Sequence, residues 1–187
     1  EYFLNIYAFT TKGTDLVPQG HNVAYEQLAF SNNQYFNAIV PEISGTKPQL
    51  TKKNNILEIQ AGDVTAVFNT DLNPNESYKT GLQQYAKNGK QVLEESLQPN
   101  FWRAPIDNDF GAQVQRKLSV WRSAGYNRLL KNVEIKEGNN SVTVIFNYRL
   151  PDVGADYVQS YKVRADGSIL SDIVYTTENK DLTEIPR

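Results

Sequence analysis

The chain has 187 residues and a formal charge of −2, with Lys, Arg, Asp and Glu interspersed and neither cysteine nor methionine present. That balance lacks the basic stripe a nucleic-acid surface requires, and no apolar run approaches the roughly 20 residues of a membrane helix. Zero cysteine excludes disulfides and thiolate zinc sites but leaves the compartment open.

In chain order the dominant signal is β. Tyr2 to Thr10 and Asn22 to Phe30 alternate or run apolar for strand lengths, around a loop containing Pro18, Gly20 and His21. Ser31 to Asn55 turns polar, with Asn32, Asn33, Pro41, Gly45 and Pro48, and is the expected linker or crossing strand between two domains. Ile56 to Gln60 and Val64 to Phe68 are joined through Gly62-Asp63. Leu82 to Lys87 and Lys90 to Leu93 flank Asn88-Gly89, the preferred pair of a type I′ hairpin because both central residues need positive φ. Further on, Val133 to Lys136, Val142 to Leu150, Tyr157 to Arg164 and Ile169 to Thr176 are separated by turn chemistry, including Asp166-Gly167. Residues 142, 144, 146 and 148 share one strand face and form an apolar stripe fit to bury. Such spacing predicts an antiparallel β-sandwich rather than parallel β/α units. One helix is expected near 112–124, with Val114, Leu118 and Trp121 on one face and Gly125 terminating it.

Thirteen residues resist that scheme: Pro99-Asn100-Phe101-Trp102-Arg103-Ala104-Pro105-Ile106-Asp107-Asn108-Asp109-Phe110-Gly111. Two prolines fix φ and push the preceding residues to extended geometry. Asp and Asn favour turns, so the run reads as a shaped loop with an aromatic foot and a carboxylate-rich crest, from which Gly111 is the expected hinge.

The segment from Asn100 to Asp109 resembles the signature that opens the C-terminal sandwich of β-galactosidases of glycoside hydrolase family 2. Gly81-Leu82, Tyr85, Asn88-Gly89-Lys90 and Leu97-Gln98-Pro99 upstream agree with it. So do Trp121, Ala124-Gly125, Tyr161, Val163, Asp166-Gly167 and Ile169 downstream. Val17-Pro18, Gly20-His21, Ala24 and Gln27 resemble the end of the preceding immunoglobulin-like domain. The resemblance implies a division at residues 1–44 and 45–187. The first part would end an immunoglobulin-like domain, and the second would begin a galactose mutarotase-like sandwich that is incomplete here. It further implies a parent enzyme that hydrolyses terminal β-galactosides by a retaining route, with two glutamates on an upstream barrel. Mg or Na would serve the parent, and no cofactor belongs to this part. Ile106 stands where many members carry Thr or another small residue, a change expected to be tolerated. The absence of Met and an opening inside a strand lead to the expectation of an excised piece of a longer, soluble protein of bacterial cytoplasm or periplasm.

Each candidate residue has more than one reading. Asp107, Asn108 and Asp109 do not fit a calcium loop, since Gly111 and Leu118 fall where ligands belong. They either cap local amides and the next helix, or, with Gly111, rim a sugar pocket. Arg103 is expected to form a buried ion pair with Asp107 or Asp109. Asn100, Ala104 and Pro105 shape the signature. Phe101, Trp102 and Trp121 suit a sandwich core better than sugar stacking. His21 is the single histidine and reads as a loop residue. Glu94-Glu95 are neighbours that on a strand would point to opposite faces, unlike the carboxylate pair of a retaining glycosidase. The chain is therefore expected to lack catalysis, to partner the rest of its parent and to bind neither nucleic acid nor membrane. Two other classes compete: a stand-alone carbohydrate-binding sandwich and a structural or oligomerisation module.

Overall fold

A computed structural model describes residues 3–29 and 45–185. Contacts divide the chain into Glu1–Glu42 and Ile43–Arg187. In the first unit, β1 (Phe3–Phe9) and β2 (Asn22–Ala29) pair antiparallel. Tyr7 lies opposite Tyr25, with rings stacked at 6.4 Å, and Asn5 accepts a 2.8 Å bond from Gln27. Leu4, Ile6 and Leu28 occupy the other face, so this hairpin is apolar on both sides and exposed on both.

The second unit holds two antiparallel sheets. One contains β3 (Gln49–Lys53), β4 (Ile56–Ala61), β5 (Val64–Asn69), β6 (Gly81–Lys87) and β7 (Lys90–Gln91), in sequence order. The other runs in order through β8 (Leu129–Glu137), β9 (Ser141–Leu150), β10 (Ala155–Arg164) and β11 (Ile169–Thr177). Period-two alternation puts Leu57, Ile59, Ala66 and Phe68 of one sheet against Val142, Val144 and Phe146 of the other, all fully buried. Phe68 meets Phe146 at 6.2 Å and Tyr161 at 5.4 Å between ring centroids. The antiparallel sandwich and the apolar stripe of β9 are as expected from sequence.

Turn residues behave as their chemistry requires. Asn88 and Gly89 both have positive φ, at 51° and 72°. Gly167 has φ of 81°, and a Cβ there would sit 2.6 Å from Val64, so conformation and packing both call for glycine.

Within Ser31 to Asn55, β3 forms a strand, while residues 31–44 lie outside the described residues. Two expectations need correction. The single helix is three short ones: α1 (Asp107–Ala112), α2 (Val114–Lys117) and α3 (Trp121–Ala124). Gln113 breaks the run with φ of 58°, so the hinge falls there and not at Gly111, which is helical. Val114, Leu118 and Trp121 still face the core, because interrupted helical turns keep the spacing that sets a common face. Among the described residues no helix is long and apolar enough to cross a membrane.

The core carries hydroxyls. Desolvation raises the Tyr148 and Tyr161 phenols above their ordinary value of 10.0 and pushes Tyr157 to about 12. A raised phenol keeps its proton in the fold while the unfolded chain loses it, so stability holds below pH 10 and declines as pH rises toward the folded values. Spectrophotometric titration is expected to show these tyrosines ionising together with alkaline unfolding.

Candidate functional site

The signature begins as extended chain and ends as a helix. Asn100 Oδ1 accepts from the Trp102 amide at 2.9 Å, fixing the first bend. Arg103 then donates to both oxygens of Asp109, at 2.6 and 2.9 Å, and Asp109 also accepts from the Ile106 amide at 2.8 Å. Asp109 thereby holds the start of α1 at the third helical position, a place where negative charge is favoured. The capping reading of the triplet is fulfilled by Asp109. Asp107 and Asn108 stay exposed on the first turn of α1, followed by exposed Phe110 and by Gly111, whose Cβ position is open space.

The Arg103–Asp109 pair departs from expectation in burial. The carboxylate is enclosed but the guanidinium side chain is 42% exposed, because it reaches outward over the Ala104-Pro105 corner. Arg103, and after it the Ile106 amide, hold the Asp109 carboxyl below its ordinary range.

Aromatic residues of the foot pack as core. Phe101 is half-buried, 5.5 Å from Trp121, 6.0 Å from Tyr157 and 6.3 Å from Tyr175 between ring centroids. Trp121 is buried and donates to Thr183 Oγ1 at 3.1 Å. Trp102 lies half-buried against the same cluster. Glu94 and Glu95 lie beyond β7 in a bend, not on a strand, and both are exposed. His21 is an exposed loop residue whose amide donates to Thr10 Oγ1 at 3.0 Å.

Beside Pro99, Asn100 and Phe101 opens a groove of about 690 Å³. Its other walls come from the 3-10 turn Pro74–Lys79 and from the segment around α3. Tyr78 and Tyr126 stack at 4.8 Å across those two segments. Behind them lies Arg128, only 2% exposed, a residue to which no sequence signal pointed. Its guanidinium donates to Gly125 O and Tyr78 O at 2.9 Å each and to Thr80 O at 3.4 Å. It also lies over the Tyr148 ring, 5.3 Å from the centroid, while Tyr148 Oη and Thr80 Oγ1 are 3.0 Å apart. Gly125 is required here by contact rather than by helix termination. Its backbone is right-handed helical, and a Cβ would fall 2.0 Å from the Pro99 carbonyl oxygen.

Residues 69–187 match the family model described as β-galactosidase small chain. The chain belongs to that family. The matched stretch contains the signature, all three helices, Arg128 and the whole four-stranded sheet of this β-galactosidase small-chain domain. Among its relatives is a β-galactosidase of Priestia megaterium, 26% identical over 171 residues, covering 90% of this chain and 16% of the relative. A β-galactosidase of Vibrio vulnificus is 26% identical over 200 residues, covering 100% of this chain and 19% of the relative. One from Halalkalibacterium halodurans is 34% identical over 82 residues, covering 43% of this chain and 8% of the relative. The chain thus spans less than a fifth of the length of these relatives.

Two substitutions test the geometry. Arg128→Met keeps a long apolar stem but strands its carbonyl acceptors, and is expected to cost on the order of 3 kcal/mol in urea unfolding. Arg103→Ala is expected to lower Tm at neutral pH. The gap from the unmodified chain should close as pH falls through the depressed Asp109 value, since protonation ends the pairing in either case. An unchanged Tm at neutral pH would remove the pair from the account.

Proposed function

We propose that this chain is a non-catalytic sandwich part of a β-galactosidase that releases terminal β-galactose, and that it buttresses the catalytic barrel and rims the sugar site. The observation that carries this reading is the family match over residues 69–187, joined to relatives named β-galactosidase whose length leaves ample chain for a catalytic domain. In that reading one glutamate elsewhere protonates the leaving oxygen and a second forms the glycosyl-enzyme, the two-carboxylate retaining route. Among the described residues no three His, Cys, Asp or Glu side chains come together.

The rim would be α1. Loops and short helices placed by a rigid sandwich commonly carry function. Asp109 and Arg103 are occupied with each other, whereas Asp107 and Asn108 are exposed on the crest. Gly111 supports the assignment from another side. It is helical with nothing near its Cβ position, where alanine would be better by about 0.5–1 kcal/mol. Its present conformation gives no reason for glycine, which suits a second conformation adopted beside the sugar.

In the full-length parent, Gly111→Val is expected to change kcat or KM about tenfold, a barrier difference of ~1.4 kcal/mol, with global stability unchanged or slightly raised. Unaltered kinetics at equal stability would retire the rim. The 187-residue chain alone is expected to release no galactose from a chromogenic galactoside.

A further inference from the structure

The groove beside the signature has a composition of its own. Its lining includes aromatic rings, four amide side chains (Asn69, Gln83, Gln98 and Asn100) and two cations, Lys79 and Arg122, but no carboxylate. At about 690 Å³ it lies within the roughly 300–1,000 Å³ of small-ligand sites.

The polar groups are only partly spent. Asn100 uses its oxygen on the Trp102 amide, and among the described residues its NH₂ has no acceptor. Gln83 and Gln98 donate to Gly81 O and Ser96 Oγ, and among the described residues neither amide oxygen accepts a bond. Tyr126 is 62% exposed although one ring face is covered by Tyr78, so it presents an aromatic platform at the mouth. Such a ring suits the apolar C–H face of a pyranose. Lys79 is engaged by Glu76, but Arg122 is exposed and makes no ion pair among the described residues. Behind the wall, Arg128 is a buried cation held by carbonyls and the Tyr148 ring, and its acceptors Tyr78 and Gly125 themselves line the groove. Its charge lies in a poorly solvated place, where fields are screened little.

A neutral sugar, rich in hydroxyl donors, would be served by carboxylate acceptors, which this lining lacks. A wall of cations, amides and an exposed aromatic suits a sugar that brings its own negative charge. We propose that the groove bounded by Tyr78, Tyr126 and Pro99-Asn100-Phe101 is a binding site for acidic saccharides, taking a uronate unit. Its carboxylate accepts from Arg122, its ring face lies on Tyr126, and its hydroxyls meet the amide groups of Gln83, Gln98 and Asn100. Arg128 acts through the wall, by fixing the two tyrosine-bearing segments and adding positive potential. The site requires no catalysis and stands independently of the proposed role beside a barrel.

Calorimetric titration of the 187-residue chain with digalacturonate and, in parallel, with lactose tests the assignment. Saturable digalacturonate binding is expected, at least about tenfold tighter than lactose and weakened by added salt. Arg122→Gln and Tyr126→Ala replace exposed side chains, so folding should survive, as circular dichroism would verify. Each is expected to weaken digalacturonate binding about tenfold, a difference of ~1.4 kcal/mol, with Tm unchanged for Arg122→Gln and only slightly lowered for Tyr126→Ala, which loses its stack on Tyr78. Absence of digalacturonate binding, equal binding of lactose, or indifference to both substitutions would each overturn the proposal.

Discussion

A buried guanidinium with no carboxylate partner among the described residues is a costly thing to place in a protein, and the architecture around the groove answers that cost. Arg128 is met by the carbonyls of Tyr78, Thr80 and Gly125 and by the face of Tyr148. These groups belong to separate parts of the chain: the 3-10 turn before β6, the end of α3, and the C-terminal part of β9. One side chain therefore ties the five-stranded sheet, the helical segment and the four-stranded sheet at a single point. Ser77 Oγ extends the tie by accepting from the Leu130 amide at 3.1 Å.

From that anchor the signature is positioned by contact. Gly125 lets the Pro99 carbonyl approach closely, which seats the entrance of the run. Phe101 then inserts between Trp121, Tyr157 and Tyr175. Beyond this foot Arg103 meets Asp109 at the start of α1. The base is packed and the crest is open, so Asp107, Asn108 and Gly111 are exposed.

Much was legible in advance. Strands from β4 to β11 follow alternation and turn chemistry, since period-two burial and positive-φ turns are local properties. The choice of Asp109 over Asp107 for Arg103 was not, because it depends on which carboxylate sits at the third helical position. The three-piece helix was hidden for a related reason. Val114, Leu118 and Trp121 satisfy one helical face whether or not Gln113 turns left-handed between Ala112 and Val114. Gly125 had the right residue type for a terminator, but the close approach of Pro99 is a contact across 26 positions and leaves no local trace.

By itself the amino-acid order determined a β-sandwich, its hairpins, its buried stripe on β9 and, through a dense motif, its family. Each of these depends on neighbouring residues or on composition. Tertiary structure alone decided that Arg128 is buried, that Tyr78 and Tyr126 share a wall, and that a groove without carboxylates opens beside Phe101. The reason is that burial of a charge, and the chemistry of a concave surface, arise from residues far apart in sequence that meet only when the two sheets close.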